Sequence, residues 1–240
     1  MCQSSNPGSG RYCVIVPAYH EEKRIAGVVA GIRRHCAEVL VIDDGSADQT
    51  SAKAREAGAE VIRHPQNLGK GAALNTGFKA ARDKGYAFVI TMDADGQHDP
   101  EDIPAFVKAF REGAGDVLVG TRMDRAHNMP LHRKLVNRFM SWLLSRFMGQ
   151  SVPDTQCGYR LFSARSLPNM PTTSQRFAAE SEVLLELAEQ GLRFGSVPIK
   201  VIYGDEKSKI NPMRDTWRFF RMLHGYRMAR NARRRNSHGT

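Results

Sequence analysis

Short apolar runs alternate with stretches of helical spacing along the first half of the chain. YCVIV (12–16) is apolar and β-branched, and Pro17 is expected to end it. Helical spacing follows from about Glu22 to Arg34. EVLVID (38–43) predicts a second strand, Asp48 to Ala57 an Ala-rich helix, and AEVIRH (59–64) a third strand. Gly69 to Lys84 reads as a helix and YAFVITM (86–92) as a fourth strand. Another helix follows Pro100, and DVLVG (116–120) predicts a fifth strand. Strands separated by helices of this length imply βαβ units and a parallel sheet, because the chain must cross back before it can pair in the same direction. The fold class expected is therefore α/β, with a mostly parallel sheet flanked by helices.

The second half has a different texture. LHRKLVNRFMSWLLSRFMG (131–149) predicts a helix with bulky apolar residues (Leu135, Phe139, Trp142, Leu143, Phe147) set among Arg133, Arg138 and Arg146. DTQCGYRLFS (154–163) reads as a loop entering a strand, and AAESEVLLELAEQG (178–191) as a helix stopped by Gly191. Phe194 to Tyr203 is expected to be extended, and Pro212 to open a last helix carrying Trp217, Phe219, Phe220, Met222, Leu223 and Tyr226. No repeat or linker interrupts this order.

In parallel sheets the chemistry gathers at the carboxyl ends of the strands. Polar residues that disfavour strands stand there: PAYHEE after the first strand, DDGS (43–46) after the second, DADGQ after the fourth and GTR after the fifth. Asp93 and Asp95 are candidates to share a hard divalent cation, Mg²⁺ or Mn²⁺, with substrate phosphates. Such an ion would offset diphosphate charge and stabilise its departure. Asp99 and Asp102 are expected mainly to cap the following helix. In DDGS a carboxylate can accept from a ribose hydroxyl or a base N–H, while Ser46 or Asp48 can cap the next helix. NLGKGAALNTGF (67–78) lacks the Walker spacing, and Lys70 is either a phosphate ligand or a surface lysine on a helix start.

Composition narrows the class. The chain has 240 residues, enough for one α/β domain and its core. Cys2, Cys13, Cys36 and Cys157 are scattered without a CxxC pair, which argues against zinc or a disulfide framework and fits a reducing cytosol. No apolar stretch is long enough for a membrane span, and MCQSSNPGSGR has no signal-peptide core. The net charge is +10, and from Met213 onward eight arginines face the single Asp215. A basic end suits an anionic partner, such as a membrane surface. A nucleic-acid-binding module would explain that end but not the acidic strand ends, so no nucleic acid is expected.

Taken in order and spacing, VIVPAYHEE, VIDDGSADQT, NLGKGAALNTGF and TMDADGQHDP closely resemble the family 2 glycosyltransferases of GT-A fold, over about residues 11 to 125. Further on, VGTR, PLHRK, DTQCGYRLFS and the pattern of Glu182, Gly191 and Val197 to Ile199 resemble the polyprenyl-phosphate branch, typified by dolichyl-phosphate mannose synthase. The resemblance implies that Pro17, Tyr19, Glu21, Asp43 and Asp44 hold the nucleotide. It implies that Asp93, Asp95 and Gln97 serve ribose, metal and diphosphate, and that Arg122 and Arg133 receive the acceptor phosphate. An ion pair to a nearby aspartate is the structural alternative for Arg122. VIYGDEKSKI departs from the R-x-x-G-x-S-K pattern of that branch, having no Arg, and the processive Q-x-x-R-W signature is absent.

The expected activity is metal-dependent, inverting transfer from a nucleotide-diphospho-sugar to a polyprenyl phosphate. GDP-mannose is the first donor and UDP-glucose the second. A soluble or other lipid acceptor is the nearest alternative, and a nucleotidyltransferase or an inactive interaction subunit fits the ordered motifs less well. Residues 11–211 would form the catalytic domain, with a nucleotide-sugar half to about 125 and an acceptor half after it. Residues 212–240 would form a basic amphipathic helix and tail. The expected location is the cytoplasmic face of a membrane, held peripherally by anionic lipid or by a membrane-anchored partner.

Overall fold

The computed structural model describes residues 10–122, 131–167, 177–200 and 202, with isolated positions at 221, 223, 225, 226 and 228; of 131–133, 177–180 and 182 only the backbone is described. The first five strands are β1 (Tyr12–Ala18), β2 (Val39–Asp43), β3 (Glu60–Arg63), β4 (Phe88–Thr91) and β5 (Val117–Thr121). The helices between them are α1 (Ile25–Arg33), α2 (Thr50–Glu56), α3 (Lys70–Asp83) and α4 (Ile103–Arg111). Then come α5 (Leu131–Met148), β6 (Arg160–Ser163), α6 (Phe177–Glu189) and β7 (Phe194–Pro198).

These strands form one seven-stranded sheet in the order β3-β2-β1-β4-β6-β5-β7. All neighbours pair in parallel except β6, which runs antiparallel to both β4 and β5. The mostly parallel α/β sheet expected from the spacing is thus present. The reversal of β6 has a consequence for the site. Its amino end, and the loop 154–159 leading into it, sit at the edge where the other six strands end.

Burial explains why the strands read as continuous apolar runs. Every residue of β2, β4 and β5 is buried, as a sheet covered on both faces requires. The two faces are separable by register. Phe88 stacks on Tyr12 at 4.7 Å and meets Phe110 of α4 at 4.8 Å. The next residue, Val89, points to the other face and pairs with Phe162, which meets Phe78 of α3 at 5.3 Å. So α3 and α4 cover opposite faces.

Three boundaries differ from the pattern. Pro17 does not end β1, which continues to Ala18 in register with β2. Val14 and Val16 turn their amides to β2, so the missing N–H of Pro17 faces β4. Pairing with β4 stops at Ile15–Thr91, where no donor is needed. Asp99 caps the turn at 100–102 by accepting from the Glu101 N–H at 3.0 Å, but Asp102 makes no cap bond; its carboxylate accepts from the Lys200 N–H at 2.8 Å. Of the strand expected over 194–203, Phe194–Pro198 forms and residues 199, 200 and 202 stand outside it, while 201 and 203 lie outside the described residues. Gly191 does end α6: it takes φ +76°, a conformation a side chain resists, and its N–H closes on Ala188. Of the last helix, Trp217, Phe219, Phe220 and Met222 lie outside the described residues, while Leu223 is buried in the core and Tyr226 packs against it.

Candidate active site

The sheet splits at its carboxyl edge between β1 and β4. The last bond joining them is Met92 N–H to Ile15 carbonyl, 3.0 Å, after which the strands diverge. The connections leave β1 and β4 toward opposite ends of the sheet, so this gap is the topological switch point where such folds bind ligands. Asp93, Asp95 and Gln97 follow β4 on one side of it, and Tyr19, His20 and Glu21 follow β1 on the other.

The β2 side is built from acids that the chain itself satisfies. Asp43 is fully buried and accepts from the Ser46 N–H at 2.9 Å and from the Ser51 hydroxyl; Arg63 stands 3.7 Å away. Asp44 accepts from Leu68 N–H (2.9 Å) and Gly69 N–H (2.7 Å), and its Oδ1 lies 2.8 Å from His64 Nδ1. His64 Nε2 in turn lies 2.9 Å from the Thr76 hydroxyl. Asp44 thereby ties the loop before α3 to β2, and Lys70 is the first residue of α3. Opposite, His20 holds a left-handed φ of 57°, fixed where its N–H donates to Ser46 Oγ at 3.0 Å. Glu21 N–H donates to Thr50 Oγ1 at 2.9 Å, and Tyr19 stands 46 % exposed at the rim.

The β4 side is different. Lys70 Nζ lies 2.7 Å from Asp93 Oδ1. Burial alone would raise the Asp93 carboxyl; Lys70, with His98, outweighs it and holds the group at about 2. Burial and the neighbouring charge of Asp93 push the Asp95 carboxyl above its usual value, against the Gln97 N–H that donates to it at 2.9 Å. Burial keeps the His98 imidazole below its usual value despite both acids, and its Nδ1 accepts from the Asp93 N–H at 3.2 Å. The Gln97 carbonyl accepts from Ile202 at 3.0 Å. Among the described residues no three His, Cys, Asp or Glu side chains form a ready-made metal cage. Two crowded carboxylates, one destabilised as an anion, nevertheless suit a hard dication that takes its remaining ligands from a substrate.

Loop 154–159 closes the site from the β6 side. Thr91 Oγ1 donates to the Gly158 carbonyl at 2.9 Å, and buried Arg160 donates to the carbonyls of Cys157 (2.8 Å) and Thr155 (2.9 Å). A Cβ on Gly158 would come 2.9 Å from Asp93 Oδ2, so a side chain there would have to push the carboxylate aside. Arg122 grips the fully buried Asp154 through two bonds of 2.6 and 2.8 Å. Arg122 thus makes an ion pair of the kind its structural alternative expects. Arg133 lies in the first turn of α5, its side chain outside the described residues.

Helix α5 borders this loop. Ser141 accepts from the Thr155 N–H at 2.9 Å, with Met140, Leu144 and Met148 buried on the same side. Its outer face carries Leu135 (66 % exposed), Phe139 and Trp142 (60 %), with Arg138 and Arg146 alongside. No helix among the described residues is long and apolar enough to cross a membrane.

The glycosyl transferase family 2 profile matches residues 13–169, which span β1 to β6 and every side chain of the cleft just described. The chain belongs to that family.

Among curated relatives of this glycosyltransferase, the UDP-N-acetylglucosamine–dolichyl-phosphate N-acetylglucosaminyltransferase of Methanococcus voltae is 34 % identical, over 79 % of this chain and 85 % of its own. The polyprenol monophosphomannose synthase of Mycolicibacterium smegmatis is 28 % identical, over 79 % and 76 %. A crystal structure of glucosyl-3-phosphoglycerate synthase from M. tuberculosis, complexed with Mn²⁺, UDP and glucosyl-3-phosphoglycerate, superposes with a TM-score of 0.66 at 22 % identity, over 84 % of this chain and 75 % of its own. The fold is thus GT-A-like.

Sequence reasoning about this family 2 chain located both acid pairs and Lys70. It passed over His64, His98, Asp154, Gly158 and Arg160. His98 stood within the quoted acidic motif, and its spacing from Asp93 was the available signal. The others act through contacts between segments far apart in the chain.

Proposed function

We propose that this glycosyltransferase moves a sugar from a nucleotide-diphospho-sugar to a polyprenyl phosphate at a membrane surface. The observation that carries the reading is the pair Asp93 and Asp95 at the end of β4. One is matched by Lys70 and the other has a raised carboxyl, in the crevice between β1 and β4. The names of the two curated relatives, one a dolichyl-phosphate and one a polyprenol-phosphate enzyme, support the acceptor class. They differ in the sugar. GDP-mannose remains the first donor to try, followed by UDP-glucose and, from the first relative's name, UDP-N-acetylglucosamine.

In this reading Pro17, Tyr19 and Glu21 border the nucleotide, and Asp43 and Asp44 shape its pocket through the loops they hold. Asp93, Asp95 and Gln97 would hold Mg²⁺ or Mn²⁺, which when bound compensates the charge of the departing diphosphate. The Mn²⁺ and UDP in the solved synthase support that assignment by analogy of fold. Lys70 reaches the diphosphate from the start of α3. A lipid phosphate is already anionic near neutral pH and needs positioning and charge compensation rather than a general base. Arg133 supplies the acceptor cation, and Arg122 fixes the loop through Asp154. Attack in line with the departing diphosphate inverts the anomeric carbon.

The exposed apolar stripe of α5, flanked by arginines, supports peripheral docking on the cytoplasmic face of an anionic membrane. Residues 11–211 act as one catalytic unit with its donor half first, and 212–240 adds positive charge. The test is a screen of radiolabelled nucleotide sugars with Mn²⁺ and polyprenyl phosphate, followed by organic extraction. Label in the organic phase for one donor is the expected result. Label transferred only to a water-soluble acceptor contradicts the lipid reading.

A further inference from the structure

We propose that Lys70 is a built-in counter-cation for Asp93 that makes metal binding wait for the nucleotide. The inference rests on the reading that Asp93 and Asp95 share a divalent cation with the donor diphosphate. Three features of the pair support it.

The first is occupancy. The Lys70 ammonium stands 2.7 Å from Asp93 Oδ1, so the chain itself places one positive charge on a candidate metal ligand. A dication approaching Asp93 and Asp95 meets that charge at close range, and the repulsion lowers its affinity.

The second is that the pair can exchange partners. Its side chains are 38 % and 27 % exposed, and the ammonium is a point charge on a flexible stem. The pair between Arg122 and Asp154 is the contrast: there a planar fork grips a fully buried carboxylate at two points. At the cleft the backbone beneath the side chain is held, and the side chain itself is 38 % exposed. Leu68 and Gly69 are pinned by their amides to Asp44, and Asp44 is backed by His64. Lys70 therefore swings about a firm pivot.

The third is the fit around it. A side chain on Gly158 would come 2.9 Å from Asp93 Oδ2 and 3.2 Å from Lys70 Nζ, so the loop 154–159 leaves just enough room for the two charges together.

An arriving diphosphate offers the ammonium a stronger anionic partner than one carboxylate. Lys70 turns to it and releases Asp93, so that Asp93 and Asp95 together would be free to hold a divalent cation beside the diphosphate. Metal and nucleotide then each raise the other's affinity, with Lys70 as the coupling element.

The test is Mn²⁺ binding, read from the electron paramagnetic resonance signal of the free ion on the full chain at fixed ionic strength. It is run without nucleotide and with saturating UDP or GDP. The wild type should bind Mn²⁺ weakly alone and much more tightly with one nucleotide. Lys70→Met should bind Mn²⁺ alone ~10-fold more tightly or better, with the nucleotide's enhancement reduced in proportion. Lys70→Arg keeps the charge and should stay near wild type, and circular dichroism melts should show both variants folded. If Lys70→Met gains no nucleotide-free affinity while Asp95→Asn still abolishes nucleotide-assisted Mn²⁺ binding, the counter-cation idea is wrong and the metal reading stands. If wild type binds no Mn²⁺ with either nucleotide, both are overturned.

Discussion

Two strand ends, one on each side of β1, carry paired acids, and the molecule holds them in opposite ways. At the end of β2, Asp43 and Asp44 are buried and accept hydrogen bonds from Ser46, Ser51, Leu68 and Gly69, with His64 against Asp44. After β4, Asp93 is partly exposed and held by one flexible lysine, and Asp95 has a raised carboxyl. Buried carboxylates with several donors are structural joints. Part-buried carboxylates that crowd one another store unfavourable charge, which a nearby cation would relieve. The same residue type at the same place in a βα unit thus holds a loop in one case and, in the proposed function, receives a metal ion in the other.

Exchanging the two behaviours gives the largest expected effects. Asp95→Asn should lower the transfer rate by ~10²-fold or more, several kcal/mol of transition-state stabilisation, while leaving the melting temperature nearly unchanged. Asp44→Ala should do the reverse first: its loss leaves the Leu68 and Gly69 amides and the buried His64 unmatched and costs about 3 kcal/mol of stability, readable as a lower urea midpoint. An Asp44→Ala protein as stable as wild type would erase the distinction.

A smaller effect separates structural acids from the site by pH. Burial alone would raise the Asp116 carboxyl; Arg165, at 2.9 and 2.7 Å, together with Arg193, holds it below its ordinary 3.8. A depressed carboxylate adds stability that is complete above the ordinary value and is lost as pH falls through the folded one. Acid melts should therefore steepen below about pH 4 in wild type and flatten in Asp116→Asn. Equal slopes in the two proteins would remove Asp116 from the account.

The smallest stability effect belongs to the outer face of α5. Trp142→Ser and Leu135→Ser remove exposed side chains and should change stability by less than ~0.5 kcal/mol. Co-sedimentation with anionic vesicles should nevertheless drop in both, and drop further with salt. A large loss of stability would make this face part of the core instead.

What the sequence could reveal follows the same division. Parallel strands covered on both faces are continuous apolar runs, so VLVID, FVIT and VLVGT were legible, and the acids at their ends stood out against strand propensity. The contacts that give those acids different roles were not legible. Asp44 finds His64 and Gly69 only because β2 and β3 lie side by side. Gly158 meets Asp93 only because β6 enters the sheet antiparallel beside β4. The end of β1 was misread because Pro17 is forbidden only where its N–H would be needed, which depends on how far β4 pairs.

The most direct test of the central claim is single-turnover transfer of labelled sugar to polyprenyl phosphate, after chelation and after metal is restored, in wild type and Asp95→Asn. The account predicts that chelator silences the wild type, that Mn²⁺ or Mg²⁺ revives it, and that neither ion revives the folded Asp95→Asn protein. Transfer at the wild-type rate in excess chelator, or in Asp95→Asn, would contradict a metal-assisted site at the end of β4.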